Sequence, residues 1–140
     1  MKSKPSKGVR LLAWLRSFSL RAAPSRFWAG LYVLACMVGI FYLSSLPSHD
    51  LPGWGPSEWT STLGHIVAYG SLAWFVILFL HRFEMRGVQL AAMVLAFVCL
   101  YGITDEIHQS FVPTRNPSVS DVMADCFGGC LALWFWKKSG

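Results

Sequence analysis

The residues of this chain that can do chemistry are concentrated between Tyr101 and Asp125, YGITDEIHQSFVPTRNPSVSDVMAD. Four carboxylates (Asp105, Glu106, Asp121 and Asp125) share that stretch with His108, Gln109 and Arg115. Paired carboxylates can work as acid and base, hold a cation, or order a neighbouring His or Arg. Arg115 can grip a carboxylate or phosphate with two parallel hydrogen bonds. Further upstream, His65 adds a group that titrates near neutrality. Tyr69, four residues on, shares its helical face. Apolar runs flank these groups on both sides. Ionisable groups at membrane depth are costly and mark functional-site candidates by default.

Charge limits what the cluster can do. Four acids against one guanidinium give a formal charge of about −3 when all are ionised, and carboxylates crowded in a low dielectric oppose one another's ionisation. The cluster must retain protons, hold water or bind a cation. Asp, Glu and His in open geometry suit a divalent ion. No HExxH or other spaced ligand motif is present, so no cofactor is expected and a divalent cation is the lesser alternative. Plainer roles exist for individual members. Asp121 can be a first-turn acid favoured by a helix dipole. Glu106 and His108 can face water, His65 can be a satisfied interhelical group, and Tyr69 can be packing.

The elements that position these groups follow from composition. Apolar residues make up 54% of the 140 and charged residues 14%, far below the roughly 25% of soluble chains. One domain is expected, built in a membrane. The net charge of +5 does not imply nucleic acid, because seven of the twelve Lys and Arg lie before Phe27 rather than over a folded face. Cys36, Cys99, Cys126 and Cys130 all fall in apolar runs and are expected to be buried thiols.

A span needs about 20 mainly apolar residues. Phe27–Ser45, Thr62–Leu80, Val88 to about Glu106, and Val119–Trp136 meet this, predicting an all-α bundle of four transmembrane helices over residues 27–138. Strands are a poor alternative, because the runs are too long and continuous and only helices or closed barrels satisfy the backbone in lipid. Residues 1–26 form a basic amphipathic arm. Leu11, Leu12, Leu15 and Phe18 recur at helical spacing among arginines, as in an interfacial helix on anionic headgroups. Lys and Arg placement predicts that both termini are cytoplasmic. The first connection, Leu46–Ser61, carries neither residue type and reads as an ordered outer loop or lid with Trp54 and Trp59 at the interface.

With that orientation the polar groups meet. His65 and Tyr69 lie near the outer end of the second span, Asp105, Glu106 and Gln109 near that of the third. Ser118 is the expected N-cap of the fourth, with Asp121 completing a capping-box-like start. Asp125 lies one turn deeper, about 9 Å from the helix start. Gly128 and Gly129 permit close backbone approach below. Arg115 is a lone outer cation, expected to pair with Asp105 or Asp121 or with an anionic ligand.

The run from Asp105 to Asp125 resembles the signature of the VanZ-like family: an acid pair (Asp105, Glu106), then Gln109, then Phe111-x-Pro113-x-Arg115, then Asp121 opening the next helix. His65 and Tyr69 match the family's His-x-x-x-Tyr on the preceding helix. The likeness covers residues 60–133. The chain departs from the pattern at Ser61 and Thr62, where Asp-Lys is usual, at Thr114, where Gly is usual, and at Asp125, where Asn is frequent. The resemblance implies a small multi-pass protein of the bacterial inner membrane, from a family named for a protein linked to teicoplanin resistance.

Three functional classes fit. The preferred one is a binder at the cell envelope, with His65, Tyr69, Asp105, Glu106, Gln109, Arg115, Asp121 and Asp125 lining an outward pocket for an amphiphile, a lipid headgroup or a lipid-linked precursor. The second is a membrane-embedded hydrolase acting on a lipid-linked intermediate. The third is an assembly factor whose polar cluster only locks the bundle. Membrane lipids are the expected surroundings, and four short helices are compatible with a homodimer.

Overall fold

The structure, a computed structural model, describes residues 6–22, 25–48 and 58–139, with residues 22 and 58–61 described by backbone alone. It contains five helices in chain order: α1 (Lys7–Ala22), α2 (Arg26–Ser44), α3 (Glu58–His81), α4 (Gly87–Gln109) and α5 (Val119–Lys138). No strand occurs among the described residues. Four of the helices are long and apolar enough to cross a membrane. They coincide with the four expected spans. The largest difference is at α3, which begins four residues earlier than the apolar run.

α3 is the central element and packs against α2, α4 and α5. Its buried residues Leu72, Ala73, Val76 and Ile77 meet Leu90, Val94 and Val98 of α4 and Ala132 of α5. Outward-facing apolar side chains such as Phe27, Val38, Tyr42, Val67 and Leu100 stay exposed. In water such a surface would drive association; in a bilayer it is the expected face.

The tightest approach joins α3 to α5. A Cβ built on Gly128 would stand 2.5 Å from the Ile66 carbonyl oxygen and 2.9 Å from the Gly70 nitrogen. Only glycine admits two backbones this close. Gly128 therefore has the role its sequence context predicts, while its counterpart Gly70 carried no signal within a long apolar run.

Two expectations are corrected. Cys99 of α4 and Cys126 of α5 are disulfide-bonded, with Cα atoms 5.6 Å apart, so they are not buried free thiols. Only Cys36 and Cys130 are free, and Cys130 is exposed. The four-residue interval between Cys126 and Cys130 gave no hint, because the partner of Cys126 comes from the neighbouring helix. Nor does Asp121 complete a capping box. Ser118 is the N-cap of α5, but its own N–H donates to Glu106 Oε2 of α4 at 2.8 Å. Asp is one methylene shorter than the Glu or Gln of a capping box, and Glu106 occupies the position instead.

α1 is not a free arm. The Arg16 guanidinium lies 4.2 Å from the Trp136 ring centroid, Trp74 Nε1 donates to Ser19 Oγ at 3.2 Å, and Arg82 donates to the Leu20 carbonyl. Leu11, Trp14 and Phe18 remain exposed on its other side. Of the first connection, residues 49–57 and hence His49, Asp50 and Trp54 lie outside the described residues, as does the Trp59 side chain. Leu46–Ser48 are described, and Ser48 is tied to Thr114 through its N–H (3.0 Å to Oγ1) and its hydroxyl (2.6 Å to the carbonyl).

Candidate functional site

The antiparallel order of α2 to α5 brings the end of α2, the start of α3, the end of α4 and the start of α5 to one end of the bundle. Every sequence-selected polar residue lies there. His65 Nδ1 and Asp125 Oδ1 are 2.8 Å apart, joining α3 to α5. Asp125 is completely buried. Its other oxygen, Oδ2, has no hydrogen-bond partner among the described residues and lies against Gly102, where a built Cβ would be only 2.6 Å away. Gly102 thus makes room for the carboxylate, a role visible only in three dimensions.

Asp105 takes two donors on one oxygen. Ser44 Oγ donates to Oδ2 from α2 at 2.9 Å, and Gln109 Nε2 donates to the same atom at 3.0 Å. Gln109 also reaches Glu106 Oε1 at 3.4 Å, while Glu106 Oε2 holds the start of α5. The acid pair therefore divides its work: Asp105 fastens α4 to α2, and Glu106 fastens α4 to α5. Ser44 was missed in the sequence because a hydroxyl at the end of an apolar run is unremarkable.

Arg115 corrects a further expectation. It pairs with neither Asp105 nor Asp121. Its Nε donates to the Leu46 carbonyl at 2.9 Å and its Nη2 to the Leu43 carbonyl at 2.7 Å. Leu43 lies in the last turn of α2 and Leu46 just past its C-cap Ser45, at the negative end of the helix dipole. Burial pulls the Arg115 pKa below its ordinary value, and Asp105, Glu106 and Asp121 act in the opposite sense. The residue before it, Thr114, has φ +67°, a left-handed conformation that suits the glycine of the family pattern and is unusual for a β-branched side chain. The two hydrogen bonds to Ser48 hold it there. His108, outside the cluster, stacks on Phe41 with ring centroids 4.5 Å apart and lies 3.0 Å from Ser45 Oγ.

These groups border a cavity of about 180 Å³ lined by Ser44, His65, Tyr69, Asp105, Gln109 and Arg115, with Ile40, Leu43, Gly64 and Ala68. Tyr69 is buried beside Asp105, and among the described residues its hydroxyl meets no partner in full hydrogen-bond geometry. Glu106, Asp121 and Asp125 do not line this cavity. Instead, the donor atoms of His65, Glu106 and Asp121 lie within 4.8 Å of one another, so His65 belongs to both groupings. Farther along the same three helices, α2, α3 and α4 border a second, apolar cavity of about 410 Å³, with Met37, Val76, Phe79 and Phe97 in its wall. Tyr101 lies between the two levels and donates to the Met37 carbonyl at 2.7 Å.

Four membrane-length helices with their acids gathered at one end define a multi-pass membrane protein. The chain belongs to the VanZ/LLP1 family, whose model matches residues 27–138 and so takes in all of α2 to α5 beyond Arg26. No curated protein and no solved structure matches it.

Proposed function

We propose that this VanZ-family membrane protein binds the polar head of an amphiphile in the cavity beside His65, Tyr69 and Asp105, at the cell envelope of a bacterium. The observation that carries this reading is the cavity at the acid-rich end of the bundle, whose wall combines Ser44, His65, Tyr69, Asp105, Gln109 and Arg115 with the apolar side chains of Ile40, Leu43 and Ala68. The apolar cavity farther along the same helices supports an amphiphile, since its lining of Met37, Val76, Phe79 and Phe97 suits an acyl chain. Arg115 lines the polar cavity with its positive charge close to the headgroup position, even while its donors serve α2.

The distribution of Lys and Arg supports the orientation assumed here. Arg82, Arg86, Lys137 and Lys138 lie at the end opposite the cavity, and both termini belong there. By the positive-inside rule that end is cytoplasmic, and the pocket opens outward in the inner membrane. A pocket so placed can meet lipid-linked envelope precursors or lipophilic glycopeptides of the teicoplanin type.

Replacing Tyr69 by Phe tests the reading because it removes only the hydroxyl beside Asp105 from the cavity wall. In lipid nanodiscs analysed by native mass spectrometry, Y69F should retain anionic lipid about 2- to 10-fold less tightly, the value of one hydrogen bond of about 0.5–1.5 kcal/mol. Its melting temperature, set beside that of wild type, separates a loss of lipid from a loss of fold. Unchanged lipid retention in Y69F would remove the hydroxyl from any binding role. A hydrolytic reading is favoured by one feature, the His65–Asp125 pair, since a carboxylate on one ring nitrogen orients the other to act as a base. Turnover of a lipid-linked pyrophosphate by the purified chain, lost in H65A, distinguishes catalysis from binding.

A further inference from the structure

The clustered acids outnumber the cations near them: Arg115 acts on Asp105, Glu106 and Asp121 through its charge but hydrogen-bonds none of them. Among the described residues, the only ion pair made by Asp105, Glu106, Asp121 or Asp125 is that between Asp125 and His65. Arg115, the sole Lys or Arg of the 110–118 connection, uses its Nε and Nη2 donors on carbonyls. Yet three of the four carboxylates are buried, where an uncompensated negative charge is expensive.

We infer that His65, Glu106 and Asp121 form a binding site for one divalent transition-metal ion of the manganese or zinc class. Their donor atoms come from α3, α4 and α5 and already lie within 4.8 Å of one another. An ion about 2.0–2.2 Å from each donor requires separations of roughly 3–4 Å, so side-chain movements of about an ångström close the site. The independent observation is Asp125. Its Oδ1 engages His65 Nδ1 at 2.8 Å from a fully buried position. A metal-ligating histidine nearly always gives its other ring nitrogen to such a carboxylate, which fixes the tautomer and aims the free nitrogen at the ion. That leaves His65 Nε2 as the coordinating atom.

The donor set selects the metal class. One imidazole and two carboxylates are too hard for copper(I) and softer than the all-oxygen shells of magnesium or calcium. Three protein ligands leave coordination positions open, as in sites that exchange water for an anionic oxygen. No local motif announces the site, because its three ligands are brought together only by the packing of three helices. The inference stands apart from the binding proposal, since Tyr69 is not a ligand and lipid retention by Y69F leaves it untouched.

Manganese is the probe of choice, because it avoids the free thiols of Cys36 and Cys130. Electron paramagnetic resonance on the full chain in nanodiscs should show one bound Mn²⁺ per chain, and the ion should raise the melting temperature. Asp121 is half-exposed, so D121N and D121S serve as paired variants that keep the fold, checked by circular dichroism. Each should weaken Mn²⁺ binding at least tenfold and abolish the melting shift. D125N, which alters only the orienting carboxylate, should weaken binding by about 10- to 100-fold. Absence of stoichiometric Mn²⁺ and Zn²⁺ binding to the wild-type chain overturns the site, as does affinity that is the same in wild type, D121N and D121S.

Discussion

Asp125 shows how closely one residue can depend on its surroundings. It is fully buried, it holds His65, and its second oxygen lies against the only residue type that leaves it room. Gly102→Ala should therefore cost about 1–3 kcal/mol through overpacking, read as a lower melting temperature in detergent. The same substitution placed on a D125A background should cost much less, because the carboxylate it collides with is gone. A double-mutant cycle measures that coupling directly, and additive effects would show that Gly102 acts elsewhere. At this scale the sequence revealed residue types well and partners poorly. His65 and Asp125 stood out as polar groups in apolar runs, and they meet. Arg115 stood out equally, but its partners are the backbone carbonyls of Leu43 and Leu46. Every residue has a carbonyl, so no sequence pattern could have indicated which ones would be left open.

The helices themselves were the most legible feature. Twenty-residue apolar runs have one stable form in a bilayer, and α2 to α5 occupy the expected spans. What escaped was the pairing of helices. The α3–α5 crossing depends on Gly70 meeting Gly128, and the α4–α5 connection includes the Cys99–Cys126 bond. Each needs two positions that are distant in the chain, and a single sequence gives only one at a time. Gly128→Val should force the α3 and α5 backbones apart and cost more than about 3 kcal/mol, since the obstructing atoms are main-chain and cannot rotate away. Gly129→Ala makes a useful comparison. A Cβ there meets only side-chain atoms of Leu95 and Val98 at 3.4 Å, so its melting temperature should stay close to that of wild type. Equal losses in the two variants would contradict the crossing geometry. For α1, the amphipathic pattern was clear, whereas its docking through Arg16 and Ser19 was hidden because both contacts involve aromatic residues of other helices.

Across the whole molecule, charge is divided between the two ends. Asp105, Glu106, Asp121 and Asp125 stand at one with Arg115, and Arg82, Arg86, Lys137 and Lys138 at the other, with Glu84 among them. If the positive-inside rule governs, Asn116→Cys should react with a membrane-impermeant maleimide in intact cells, and Lys137→Cys should react only after permeabilisation. The measurement uses a background in which Cys36 and Cys130 are Ser. Labelling in the reverse order would turn the protein over and direct the pocket to the cytoplasm.

The unequal apolar character of the helices bears on biogenesis. Mean hydropathy is 1.8–1.9 for the first three spans and 1.2 for the last, and Asp121 and Asp125 lie in the first two turns of α5. A lone segment with an acid near its centre meets a penalty of about 2.5–3.5 kcal/mol during insertion, less toward its ends. α5 is thus the span least able to leave the translocon unaided. Gly102 supplies the space and His65 the polar contact that Asp125 needs, and Glu106 holds the Ser118 N–H at the start of α5, so a last span inserted after its neighbours enters against partners that are already in place.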